Sequence, residues 1–155
     1  ELGDFVNQPF AAKPVKNGII LAREGYVAGA PVSVTKAVTL KDGSAALDVK
    51  YHIANRSAKK LDLWFGVEFN FSLTKDETYG EFLNIKELPL KDPVSNLGIC
   101  VAFLAPCAIW RFPVKTISQS ESGIEENYQS SAILAHYRLS LPARQSQDAG
   151  ICLAF

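Results

Sequence analysis

Methionine is absent from this sequence, cysteine occurs three times, histidine twice, and neither sign of charge is in excess. Each scarcity removes a class of function. Sixteen basic residues balance sixteen acidic ones, so the chain lacks the surplus positive charge that grips phosphate backbones. No nucleic-acid partner is expected. Cys100, Cys107 and Cys152 cannot all pair, and no CxxC or Cys/His spacing offers a zinc site. Neither metal nor cofactor is expected, and unpaired thiols suit a reducing, cytoplasmic compartment. The longest apolar stretch, Leu97 to Trp110, is interrupted by Gly98 and Pro106 and falls short of the ~20 residues a helix needs to cross a bilayer. No membrane partner is expected. GxSxG, Walker and HExxH motifs are missing as well. Glu1 to Phe10 is acidic and holds a proline where a signal peptide would be basic and then apolar. With no initiator Met, the expectation is a C-terminal part excised from a larger protein.

What is present is an average globular composition, 48% apolar and 21% charged over 155 residues, enough for one core and one domain over residues 1–155. The dominant pattern is an apolar residue at every second position, the spacing of a strand with one face on a core. Leu61, Leu63, Phe65, Val67, Phe69, Phe71 and Leu73 alternate with Asp62, Trp64, Gly66, Glu68, Asn70 and Ser72. Val32, Val34, Val38 and Leu40 precede Asp42-Gly43, and Leu47, Val49, Tyr51 and Ile53 follow it, so this pair reads as a hairpin. Asn55-Arg56-Ser57 would turn the chain into the 61–73 strand, giving a three-stranded antiparallel meander. Gly98 to Leu104 and Ile109 to Phe112 read as short strands bounded by prolines. Ile133 to Leu141 and Ile151 to Phe155 alternate again. Apolar residues never recur at helical spacing over three turns. The expected class is all-β, an antiparallel β-sandwich. Ser118 to Ser131, rich in Ser, Glu and Gln, reads as a surface loop.

Alternation sorts the candidate chemistry. Trp64, Glu68, Asn70 and Ser72 share the face of their strand opposite the core, and Lys50 and His52 the equivalent face of the strand before. An indole beside carboxylate, amide and imidazole groups is the composition of a sugar platform, the ring covering a pyranose face and the polar groups taking hydroxyls. The same face would serve equally to seat a second layer or a neighbouring domain. His52 and His136 with Glu68 form the only acid and base set that suggests sugar epimerisation, yet nothing in the spacing joins them, and surface or structural histidines read as well. Paired carboxylates for glycoside cleavage would have to come from Glu68, Glu121, Glu125 and Glu126, which solvation also explains. A cysteine nucleophile finds no support, because Cys100 and Cys152 lie in apolar strands.

Three segments, in order, carry a resemblance: Gly3 to Phe10 (GDFVNQPF), Asn55-Arg56-Ser57 followed by Leu61 to Asn70 (LDLWFGVEFN), and Phe112 to Gly123 (FPVKTISQSESG). Together they resemble the C-terminal β-sandwich of glycoside hydrolase family 57, the α-amylase and 4-α-glucanotransferase group. The resemblance implies a galactose-mutarotase-like sandwich and a parent enzyme acting on α-1,4-glucans in an intracellular setting. It further implies that the catalytic nucleophile and acid belong to an N-terminal barrel domain, of which this chain shows no motif. The family's sandwich is generally longer at its N-terminal side, so this chain is expected either to lack the first strands or to be a reduced version. Thr116, Gln119, Ser120 and Glu121, inside the shared motif, would face barrel, glucan or their own sheet.

The expected function is a non-catalytic accessory sandwich, its partners an N-terminal catalytic barrel and an α-glucan. Candidate carbohydrate contacts are Trp64, Glu68, Asn70, His52, Arg111, Gln119 and Glu121. A mutarotase-like epimerase and a purely structural interdomain module are the alternatives.

Overall fold

A computed structural model describes residues 2–120 and 123–155, and among them every regular element is a strand. The order is β1 (Ala11–Val15), β2 (Gly18–Val27), β3 (Ala30–Leu40), β4 (Ala46–Asn55), β5 (Leu61–Phe71), β6 (Gly80–Lys91), β7 (Gly98–Ser120), β8 (Gly123–Leu141) and β9 (Ser146–Ala154). All pairings are antiparallel and form one hydrogen-bonded path, β1-β2-β3-β4-β9-β7-β8-β5, with β6 also on β7.

The path folds over on itself at β7. Its first part, Cys100 to Phe103, pairs β9, whereas from Ala108 onward it pairs β8. Two halves result, β1-β2-β3-β4-β9 and β8-β5, which face each other across the core. The ring of Tyr51 on β4 meets that of Phe65 on β5 at 5.2 Å, although those strands share no hydrogen bonds. Around this contact the alternation does what its spacing demands. Val49 and Ile53, Val67, Ile133, Leu139 and Leu141, Val101, Ile109 and Ile151 are all buried. Burying such a set is the main drive for closing the sandwich, worth roughly 1.5–3 kcal/mol per large side chain.

Four expectations need correction. The meander is broken, because β5 leaves β4 and pairs β8 in the other half; alternation states that one face is buried but not which strand lies alongside. Consequently His52 and Trp64, both pointing away from the core, lie on opposite sides of the molecule. Pro106 does not separate two strands either. It falls between the end of β9 pairing at Phe103 and the start of β8 pairing at Ala108, where the ladder asks for no N–H. Of the stretch read as a loop, residues 118–120 and 123–131 are strand in the outer part of the β7–β8 hairpin, with Ser118 opposite Glu125 and Thr116 opposite Asn127, while 121–122 lie outside the described residues. A two-stranded arm wet on both faces shows no apolar alternation. Finally β1, β2 and β6 escaped the sequence reading. The Asp42-Gly43 hairpin is tied as read, since Gly43 has φ +72° and Lys41 N–H donates to the Ala46 carbonyl at 3.0 Å, and the chain also turns at Asn55-Arg56-Ser57, where Ser57 N–H donates to Asn55 Oδ1 at 2.8 Å.

An aromatic groove on the outer face of the smaller half

The outward positions of three adjacent strands converge on one spot. On β5 Trp64 and Gly66 stand opposite Arg138 and His136 of β8, and His136 stands opposite Ala108 of β7, next to Trp110. Trp110 in turn faces Glu81 on β6. Gly66 contributes no side chain here, and a Cβ on it would meet Leu134 Cδ1 at 3.1 Å. The two indoles therefore close over the imidazole. Trp64 and Trp110 meet edge to face with centroids 5.1 Å apart, and each lies within 5.0 Å of the His136 ring. An imidazole on the outer face of a sheet thus ends only 8% exposed, while Trp64 keeps 56% of its surface in water.

Hydrogen bonds fix the arrangement. Trp64 Nε1–H donates to His136 Nδ1 at 3.1 Å, and Trp110 Nε1–H donates to Glu81 Oε1 at 3.0 Å. Because indole only donates, His136 Nδ1 must be the acceptor, which places the proton of the neutral imidazole on Nε2. Burial pushes the His136 pKa below its usual value, helped by the Arg138 charge and opposed by Glu81. Nε2 is buried without a partner, 3.9 Å from Glu81 Oε1. Arg138 lies over the Trp64 ring, its guanidinium carbon 5.7 Å from the centroid.

Two shallow grooves flank this cluster and share Glu81. One, of about 550 Å³, runs past Trp64, His136, Arg138 and Gln147; the other, of about 590 Å³, runs past Trp110, Tyr79, Gly80 and Phe112. Both volumes fall within the usual range of small-ligand sites.

The remaining sequence candidates are scattered. Glu68 lies further along the same face and accepts from Asn70 Nδ2 at 3.0 Å. Diagonal to His136 in register, it shares no hydrogen bond with either histidine, so an acid and base pair is not assembled. His52 sits in the other half, with Nδ1 2.6 Å from Asp148 Oδ1. Arg111 turns inward and donates through Nε and Nη2 to Asp76 Oδ2 at 2.9 and 2.7 Å, a pair that also takes the Ser131 hydroxyl. Its guanidinium is occupied by structure rather than open to a sugar. Gln119 is exposed near the tip of the β7–β8 arm, and Glu121 lies outside the described residues. Among the described residues no group of three or more His, Cys, Asp or Glu side chains could hold a metal ion.

Sequence reasoning missed Trp110, Glu81 and Tyr79. Parity along the strands could have found Trp110, since Ile109 faces the core and its neighbour must face out.

Residues 1–151 match the family described as "Alpha-amylase/4-alpha-glucanotransferase, C-terminal". Over 127 residues, 79% of the chain, the sequence is 36% identical to a 4-alpha-glucanotransferase of Thermococcus litoralis, and it spans 18% of that relative's length. The fold matches the crystal structure of 4-alpha-glucanotransferase from the same organism, with a TM-score of 0.86 and 29% identity. That match covers 99% of this chain and 23% of the other. A protein of Escherichia coli K12 described as an aldose 1-epimerase aligns over 94% of this chain and 67% of its own, with a TM-score of 0.73. At 11% identity that likeness speaks for the fold alone.

Proposed function

The chain belongs to the family of alpha-amylase/4-alpha-glucanotransferase C-terminal domains, and from that membership we propose that it is the accessory sandwich of an enzyme acting on α-1,4-glucans, one that holds glucan rather than cleaves it. One observation carries the reading. Trp64 keeps 56% of its surface in water while its indole N–H is spent on His136 and the Arg138 guanidinium lies over its ring, so the ring is pre-organised and a pyranose meets it without ordering it first, taking the place of Arg138 or packing beside it. Glu81 and Arg138 beside it supply an acceptor and a donor for hydroxyls. A glycosidase needs two carboxylates flanking the scissile bond, whereas the residues lining this groove include Glu81 alone. Cleavage would accordingly fall to an N-terminal barrel of the parent polypeptide. Three free thiols suit a reducing, cytoplasmic setting.

Calorimetric titration with maltoheptaose, and with cellohexaose as control, tests the proposal. Saturable binding of the α-glucan alone is expected, with a loss of at least tenfold in Trp64→Ala at a temperature where that variant is still folded. Equal binding by that variant would refute it. A second reading, a module that seats a neighbouring domain, draws on the β7–β8 arm, where Ile117 and Ile124 are 73% and 77% exposed. Silence in the titration would favour it.

A further inference from the structure

We propose that the paired grooves form one two-position site for an unbranched, neutral oligosaccharide, with one sugar ring on Trp64 and the next against Trp110 and Tyr79. Glu81 lies between them and serves both. The inference rests on the carbohydrate-binding reading above, and adds to it the second position, three residues and a dependence on ligand length.

Continuity comes first. The grooves meet at Glu81, and Trp110 stands edge to face with Trp64, so leaving one aromatic surface brings a ligand directly onto the other. Tyr79, 82% exposed, extends the apolar lining on the far side of Trp110. Its segment is anchored from below, because Asp76 is clamped by Arg111 and accepts from Thr78 N–H at 3.0 Å.

The polar groups then select the ligand class. His136 Nε2–H has no partner, and Glu81 Oε1, 3.9 Å away, is too far to be one. Nε2 is closed off from solvent in the free chain, so the half-exposed Glu81 side chain must swing aside for a hydroxyl to accept from the imidazole and donate to the carboxylate, whose Oε1 already takes the Trp110 Nε1–H. An anionic ligand would meet the Glu81 charge, and an ammonium group cannot accept from Nε2–H. Charges along the lining also balance, since Arg138 and Glu81 line one groove while Arg111 is matched by Asp76. A neutral polyol, whose hydroxyls both accept and donate, meets these conditions. Burial keeps the imidazole in the required neutral form at pH 7.

The test is tryptophan-fluorescence and calorimetric titration of the full chain with glucose, maltose and maltoheptaose. Affinity is expected to rise about tenfold from glucose to maltose, which fills both positions, and to change little beyond it. Tyr79→Ala should reduce that gain below twofold, while Tyr26→Ala, an exposed tyrosine on β2 in the other half, should leave it intact. Glu81→Gln should weaken every length about tenfold. Binding that is flat from glucose to maltose, or a gain that survives Tyr79→Ala, overturns this inference and leaves the carbohydrate-binding reading standing. No binding of any glucan overturns both. Self-association abolished by Tyr79→Ala assigns the groove to a second copy of the chain, and also overturns it.

Discussion

Replacing Asp76 by Asn should destabilise the chain by about 2–4 kcal/mol at neutral pH. The Asp76 side chain is only 6% exposed and that of Arg111 15%, and Asp76 Oδ2 takes both the guanidinium and the Ser131 hydroxyl. Burial by itself raises the Asp76 carboxyl, but hydrogen bonds from Ser131, Thr78 and Arg111 outweigh it and hold the group at about 2, against an ordinary 3.8. That depression is worth about 2 kcal/mol of stability at pH 7. Leaving the half-buried Arg111 charge unanswered adds to the loss, toward the lower part of the roughly 3–5 kcal/mol seen when buried pairs are broken. Because the folded carboxyl titrates below the unfolded one, the contribution is complete above about pH 5 and disappears as pH falls through 4 towards 2. Urea unfolding of the wild type and Asp76→Asn at intervals between pH 2 and 7 measures it. The two curves should converge at the acid end. Asp92 also titrates low, held by the backbone N–H groups of Ser95, Thr74 and Val94, but it does so in both proteins and cancels in the difference. A difference below about 0.5 kcal/mol at pH 7, or one independent of pH, would show that the pair contributes no more than a surface contact.

Two further outcomes follow from packing. Gly18→Ala should cost about 2–4 kcal/mol in urea unfolding, because its Cβ would stand 2.1 Å from the Val38 carbonyl oxygen, a backbone atom that cannot step aside; a midpoint within error of wild type would contradict this. Cys107 should resist a thiol-specific reagent at pH 8 until the chain is unfolded, since it is buried and burial pushes its thiol up. Mass spectrometry of the labelled native protein locates the modified residues, and native labelling of Cys107 would be the contrary result.

The strands of the core were legible because water and core lie on opposite faces of each. Val49, Tyr51 and Ile53, or Leu63, Phe65 and Val67, state their orientation in the sequence itself. Pairing was not legible, since β5 alternates identically whether β4 or β8 lies beside it. The same limit hid the groove. Trp64 could be placed on an outer face, but Trp110 and His136 reach it only through the β7–β8 and β5–β8 registers, which leave no mark in spacing. Taking the polar stretch around Ser118 to Ser131 as a hairpin would have paired β7 with β8 and brought Trp110 beside His136. Its exposure on both faces removed the alternation that would have said so. Strand β6 was lost for a related reason, as its register shifts between Phe82 and Glu87 break the two-residue period.

Strand β9 has a consequence for the order in which the molecule can assemble. It is the last strand in chain order, yet it lies between β4 and β7, with Ala46 opposite Ala154 and Cys100 opposite the same residue. Until it arrives, β4 and β7 present two open edges with a strand-wide gap between them, and such edges recruit other chains as readily as their own. The pairing of β4 with β9 therefore waits for the whole intervening chain, across a separation of about a hundred residues, where loop-closure entropy makes folding slow. Until β9 has been made the chain carries an unfinished sheet, and the interval before β9 docks is when it most needs protection from its neighbours.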